Sequence, residues 1–234
     1  MTPNERILVA LDTTDLTRAT ELAERLNRYV GGIKLGKEFF TANGQQGVRQ
    51  VISEGQPLFL DLKFHDIPNT VAKAVRSASH LRPFMLNVHA SGGRAMMEAA
   101  ANANKETCGS SCTLLAVTLL TSLSNCDLKE IGMKADVGEQ VVRLARLAQD
   151  CGMNGVVCSP LEISMLREAC GEDFILVVPG IRPIWASEDD QKRFSTPSEA
   201  IIQGADYIVV GRPITGADDP VAAVTRISEE LAAL

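Results

Sequence analysis

Gln56-Pro57-Leu58-Phe59-Leu60-Asp61-Leu62-Lys63-Phe64-His65-Asp66-Ile67-Pro68-Asn69-Thr70 is an apolar run that ends in alternating charge. Residues 58–62 read as a buried strand of a parallel sheet. Strand side chains alternate between faces, so Asp61 and Lys63 leave the strand end on the same face. Asp66 follows three residues later, where the chain turns. Two carboxylates and one ammonium therefore converge where a strand stops. Buried charge is costly unless it is paired, so such a set can hold its members ionised in a dry pocket. Two readings are open on this segment. It is either a catalytic charge array, or a structural salt bridge with Asp66 capping the next helix and Pro68 in its first turn.

Working outward, strand-like apolar runs recur at 7–11, 32–35, 58–62, 84–88, 113–118, 155–158, 175–178 and 207–210. Segments of helical periodicity lie between them. Leu16, Ala19, Leu22, Ala23 and Leu26 make one stripe, and Val137, Val141, Leu144, Ala145 and Ala148 make another. Strands alternating with helices imply a parallel sheet. Eight such repeats in 234 residues fit one closed (β/α)8 barrel, a single domain over residues 1–234. An open doubly wound sheet is the alternative. The first strand is not followed by Gly-x-Gly-x-x-Gly, which weakens the dinucleotide-binding version of that fold.

In a barrel the polar residues that follow each strand meet on one face, where the catalytic sites of this fold lie. Here they are Asp12, Lys34, Asp61 with Lys63, Asn87 with His89, Thr121 with Ser122, Ser159, Pro179-Gly180-Ile181-Arg182 and Gly211-Arg212. Lys34, Asp61 and Lys63 fall on adjacent strands, and as a set they favour a site over a chance polar edge. Gly211-Arg212 follows the eighth strand, where such barrels often bind phosphate; the alternative is an ordinary strand-ending glycine with a surface arginine. Glycine lets a backbone N–H approach the anion, and arginine grips it with a fork of donors. Gly92-Gly93-Arg94 reads as a tight turn into a helix. The polar stretch 181–195, long for a connection in a compact domain, is either an active-site lid or a merely solvated loop. His80 reads as a surface residue, and His65 and His89 as structural groups.

Composition narrows the class. The 45% hydrophobic content supports a substantial core, and a formal charge of -6 argues against a nucleic-acid partner. No run of about 18 apolar residues is present to span a membrane. The opening Met-Thr-Pro-Asn-Glu-Arg lacks the basic-then-apolar layout of a signal peptide. Cys108, Cys112, Cys126, Cys151, Cys158 and Cys170 form no Cys-x-x-Cys pair. They read as reduced thiols of a cytoplasmic protein, with Cys158 in a core strand.

The assembled set resembles the orotidine 5'-phosphate decarboxylase family, in its compact bacterial type, over nearly the whole chain. The segment 61–70 carries the resemblance most specifically. Val9-Ala10-Leu11-Asp12, Lys34-Leu35-Gly36-Lys37-Glu38, Asn87-Val88-His89-Ala90-Ser91-Gly92-Gly93, Ala116-Val117-Thr118-Leu119-Leu120-Thr121-Ser122, Pro179-Gly180-Ile181-Arg182-Pro183 and Gly211-Arg212-Pro213 support it. Ile184-Trp185-Ala186-Ser187 departs from the family's lid pattern, while Gln191 stands at the expected place. The resemblance implies conversion of orotidine 5'-phosphate to UMP and carbon dioxide, with no metal and no organic cofactor. It implies that Lys63 stabilises charge at C6 and delivers the proton, with Asp61, Asp66 and Lys34 completing the network. Asp61 would also face the substrate carboxylate. Asp12 and Lys34 would hold the ribose, and Thr121 and Ser122 the pyrimidine edge. Gln191 would reach over from the lid, and Arg182, Gly211 and Arg212 would serve the phosphate. Asp66 and Thr70 would enter the site of a partner subunit, which implies a homodimer. Two alternatives are a magnesium-dependent sugar-phosphate decarboxylase or aldolase-like synthase, and a non-catalytic nucleotide-binding barrel. The Ile67-Pro68-Asn69-Thr70 continuation with Thr121-Ser122 argues against the first, and the intact Lys34, Asp61, Lys63, Asp66 set against the second.

Overall fold

A computed structural model describes residues 1–133, 136–186 and 195–234. Eight parallel strands close into a barrel in sequence order. They are β1 Ile7–Ala10, β2 Gly32–Gly36, β3 Leu58–Phe64, β4 Met85–His89, β5 Thr113–Val117, β6 Gly155–Val157, β7 Ile175–Pro179 and β8 Tyr207–Val210. The helices are α1 Leu16–Leu26, α2 Lys37–Val51, α3 Pro68–Ser79, α4 Arg94–Cys108, α5 Asn125–Glu130, α6 Val137–Asp150, α7 Ile163–Cys170, α8 Pro197–Ile202, α9 Arg212–Thr215 and α10 Pro220–Ala232. β1 pairs with both β2 and β8, which closes the barrel and excludes the open sheet.

Two apolar layers hold the fold, as the alternation of strand side chains requires. Inside the barrel lie Leu8, Ala10, Phe59, Met85, Leu115, Val117, Val157, Val177 and Val209. The opposite strand faces, with Ile7, Val9, Ile33, Leu35, Leu58 and Leu60, pack against the helices. Of the two stripes read from the sequence, α1 buries Ala19, Leu22, Ala23 and Leu26, and α6 buries Val141, Leu144, Ala145 and Ala148. A run of three or four apolar residues facing a sheet, at about 1.5–3 kcal/mol per large side chain, far exceeds the helix propensity differences within it.

The inward row explains where the site lies. Counting in twos along β1 gives Leu8, Ala10, then Asp12; along β3, Phe59, Asp61, Lys63; along β4, Met85, Asn87, His89. The row is apolar at the start of each strand and turns polar toward its end. All strands are parallel, so the polar ends collect at one mouth.

Strand limits differ from the sequence reading by one or two residues. β4 begins at Met85, with Phe84 packed against the barrel interior just before it. β3 runs on to Phe64, because its last residue still pairs with Val88 of β4. Cys158 is fully buried but lies just past β6. Pro68 opens α3 as expected, but the N-cap is Ile67. Asp66 sits one residue too early to cap, and its carboxylate accepts from the Ile67 N–H at 2.6 Å.

Candidate active site

The mouth of the barrel holds a cavity of about 370 Å³, within the usual range for a small-molecule site. Asp12, Lys34, Asp61, Lys63, Thr121, Arg182, Gly211 and Arg212 line it, so eight of the twelve site residues read from the sequence meet there. Phe59, Val117 and Val157 of the barrel interior also line it, with Leu119 and Ile181 from the loops above and Pro213 of α9.

One charge network spans β1, β2 and β3. Lys34 Nζ lies 2.9 Å from Asp12 Oδ1 and 3.6 Å from Asp61 Oδ2. Lys63 Nζ lies 2.5 Å from Asp61 Oδ1. Lys34 and Asp61 are buried. Burial opposes the charged form of Asp61, yet Lys34, Lys63 and a hydrogen bond from Asn87 together hold its carboxyl below the usual carboxylate range. Magnitudes favour this outcome. Burying an ion costs several kcal/mol, whereas each close opposite charge returns about 4 kcal/mol at an effective dielectric near 20. One partner breaks even; Asp61 has two.

Lys63 is reached by an unusual backbone. Its φ is 52°, the left-handed region that costs a non-glycine residue about 1–2 kcal/mol. The cause is a break in register: Leu60 pairs with Leu86 and Phe64 with Val88, four steps along β3 against two along β4. Such a bulge re-aims side chains at a strand end. Asn87 occupies the gap. Its side chain accepts the Lys63 N–H at 2.8 Å and donates to Asp61 Oδ1 at 2.6 Å. The sequence reading left Asn87 out of the site, although its place between Met85 and His89 on the inward row was a signal.

Four of the expected residues are not gathered at this cavity. Ser122 lines a neighbouring cavity of about 870 Å³, which shares Thr121, Pro179 and Gly180 with the first. Asp66 and Thr70 are exposed on the turn into α3 and on its first residues. Among the described residues Lys63 pairs with Asp61, and no ion pair joins it to Asp66. Gln191 lies outside the described residues.

The stretch after β7 is pinched at its base. Ile181 bridges to Ser195, and the Arg182 N–H donates to the Ser195 carbonyl at 3.0 Å. Trp185 comes three residues after Arg182, with the Arg226 guanidinium 4.9 Å from its ring centre. His89 faces His65, with ring centres 5.4 Å apart. Burial, and then the charges of His65, Lys37 and Lys63, push the His89 pKa down to about 4 against a smaller pull from Asp61. His80 is exposed, as expected. Among the described residues no group of three or more His, Cys, Asp or Glu side chains could hold a metal ion, and no helix is long and apolar enough to cross a membrane.

Comparison with known proteins gives a consistent result. The profile of the orotidine 5'-phosphate decarboxylase / HUMPS family matches residues 5–227. The orotidine 5'-phosphate decarboxylase of Rhodospirillum rubrum is 53% identical over 236 residues, covering 99% of this chain and 95% of the relative. That of Paramagnetospirillum magneticum is 52% identical over 229 residues, covering 96% and 97%. The crystal structure of the Lactobacillus acidophilus orotidine 5'-phosphate decarboxylase is similar with a TM-score of 0.85 and 37% identity, over 96% of this chain and 98% of that one.

Proposed function

The chain belongs to the orotidine 5'-phosphate decarboxylase / HUMPS family, and we propose that it carries out its decarboxylation through Lys63, aimed by Asp61 and Asp66, with Lys34 completing the alternating network. The reaction converts orotidine 5'-phosphate to UMP and carbon dioxide, the last step of UMP biosynthesis. The observation that carries the residue assignment is the Lys34–Asp61–Lys63 network in the same cavity as Arg182, Gly211 and Arg212.

The chemistry sets the requirement. Loss of the carboxylate leaves an electron pair in an in-plane orbital at C6, where the pyrimidine ring delocalises it poorly. A fixed cation beside C6 stabilises that pair, because a preorganised charge in a dry site costs no reorganisation as the reaction proceeds. Lys63 is that cation, and it then protonates C6 in place of the departing carbon dioxide. Asp61 keeps the ammonium charged and lies on the carboxylate side of the substrate. Lys34 balances Asp61 and, with Asp12, binds the ribose hydroxyls. Thr121 and Ser122 meet the base edge. β7 lies across the barrel from β3, so Arg182, together with Gly211 and Arg212 after β8, binds the phosphate at a distance from the reacting carbon. Gln191 closes from the lid. Phosphate binding energy is then available to close the lid over a water-free site.

Asp66 and Thr70 act in the site of a second copy of the chain, in a homodimer. Their exposure on the turn beyond β3 supports this assignment. The enzyme works in the cytoplasm, and its six free cysteines fit a reducing compartment.

The test follows the ultraviolet absorbance of orotidine 5'-phosphate on mixing with purified protein, with and without chelator, alongside Lys63→Ala. The wild type is expected to turn over substrate equally in both conditions. Lys63→Ala should lose roughly a thousandfold or more, since it removes both charge stabilisation and proton delivery, while UMP still binds. Near-normal turnover by Lys63→Ala would reject the assignment.

A further inference from the structure

We propose that Asn87 is the positioning residue that sets Lys63 against Asp61, its carboxamide replacing the β-ladder at the point where β3 leaves register with β4. The role rests on the decarboxylase reading above and deepens it.

The register break deprives the bulged residues of regular partners on β4. A buried backbone N–H without an acceptor costs about 1–3 kcal/mol. The Asn87 side chain supplies that acceptor to Lys63 at 2.8 Å. Its other end donates to Asp61 Oδ1 at 2.6 Å, the same oxygen that takes the Lys63 ammonium. One fully buried amide thus touches the backbone of Lys63 and the carboxylate that aims its side chain.

The partners fix which way the amide points. A backbone N–H can only donate, and an ionised carboxylate can only accept. Asp61 is held ionised by its two lysines. The oxygen of Asn87 therefore faces Lys63 and the nitrogen faces Asp61. No other side chain of this size satisfies both at once: a hydroxyl is too short to span them, and a carboxylate has no donor for Asp61 and would repel it. Asn87 itself does not line the cavity, so it acts through Lys63 and Asp61 and not by touching substrate. The left-handed backbone of Lys63 is the conformation that this clamp holds against its own strain.

The two functions of the amide separate in two variants. Asn87→Leu has nearly the same volume and removes both hydrogen bonds. Asn87→Asp keeps an acceptor for the Lys63 N–H but loses the donor and sets a second carboxylate beside Asp61. Wild type and both variants are assayed with orotidine 5'-phosphate, and their folding is checked by thermal unfolding. Each variant is expected to lose about tenfold or more in kcat, the scale of a hydrogen bond to a charged group, with KM and the UMP dissociation constant within about threefold of wild type, because the ribose and phosphate contacts are elsewhere. An active wild type with a folded Asn87 variant within about twofold in kcat would overturn this proposal alone. So would a fall in kcat matched by an equal rise in KM, or failure of both variants to fold, either of which makes Asn87 a general structural residue. An inactive wild type would instead overturn the decarboxylase reading, and this proposal with it.

Discussion

On the proposed mechanism Lys63 must be charged, must lie beside the reacting carbon, and must still release a proton to it. The first demand is met by Asp61, which stays ionised although buried because two ammonium groups flank it. The bulge and Asn87 bear on the second, since they set the backbone from which Lys63 projects. The third follows from a single carboxylate contact among the described residues, which leaves the ammonium able to turn toward substrate. A quieter residue of the same mouth gives a pH signature. His89 is held neutral by burial, with a pKa near 4 in the folded chain against an ordinary 6.5. The unfolded chain takes up that proton at the higher pH, so the folded state keeps this contribution above about 6.5 and loses it progressively as pH falls toward 4. Thermal unfolding from pH 7.5 to pH 4 is expected to show the wild-type Tm falling through this window, and His89→Gln to show a shallower fall there. Parallel curves for the two proteins would contradict the assignment. Lys63, Asp61 and Lys34 were legible as residues because charge inside an apolar run is rare. Asn87 was legible by its place on the inward row but not by its role, because an uncharged amide at a strand end looks like any polar residue leaving the core.

Among the elements, the strands were the most legible part. Their apolar runs are set by burial on both faces, a local property of sequence. What the runs do not carry is register. A regular β3 would also place Asp61 and Lys63 on one face, so nothing local announces the bulge, which is a property of β3 against β4. The long connection after β7 shows a similar limit: its base is closed by a contact between Ile181 and Ser195 that periodicity does not encode. Trp185, the sole tryptophan, lies at the foot of this connection, half-buried and beneath Arg226 of α10. Its fluorescence should therefore report closure. UMP is expected to shift or quench the emission, and uridine to do so far less, because the phosphate contacts supply the energy of closing. Equal responses to both ligands, or none to either, would count against a phosphate-driven lid.

At the level of the whole molecule, closure of the barrel turns residues scattered from Asp12 to Arg212 into one mouth. That convergence was legible from eight repeats alone, since parallel strands must end together. The proposed reach of Asp66 and Thr70 comes from the family resemblance alone, because the pattern of one chain describes its own core and carries no image of a second copy. Both are exposed, and among the described residues the ion pair of Lys63 is to Asp61. The central claim is a Lys63-centred network finished by Asp66 across a twofold axis. It is tested most directly by preparing Lys63→Ala and Asp66→Asn separately, each nearly inactive, and mixing them under conditions that exchange subunits. If Asp66 acts across the dimer, each mixed dimer has one doubly defective site and one intact site; random exchange makes about half the dimers mixed, so activity should rise toward about a quarter of wild type. Verified exchange with no recovery of activity would contradict the shared site, because each site would then keep a defect of its own.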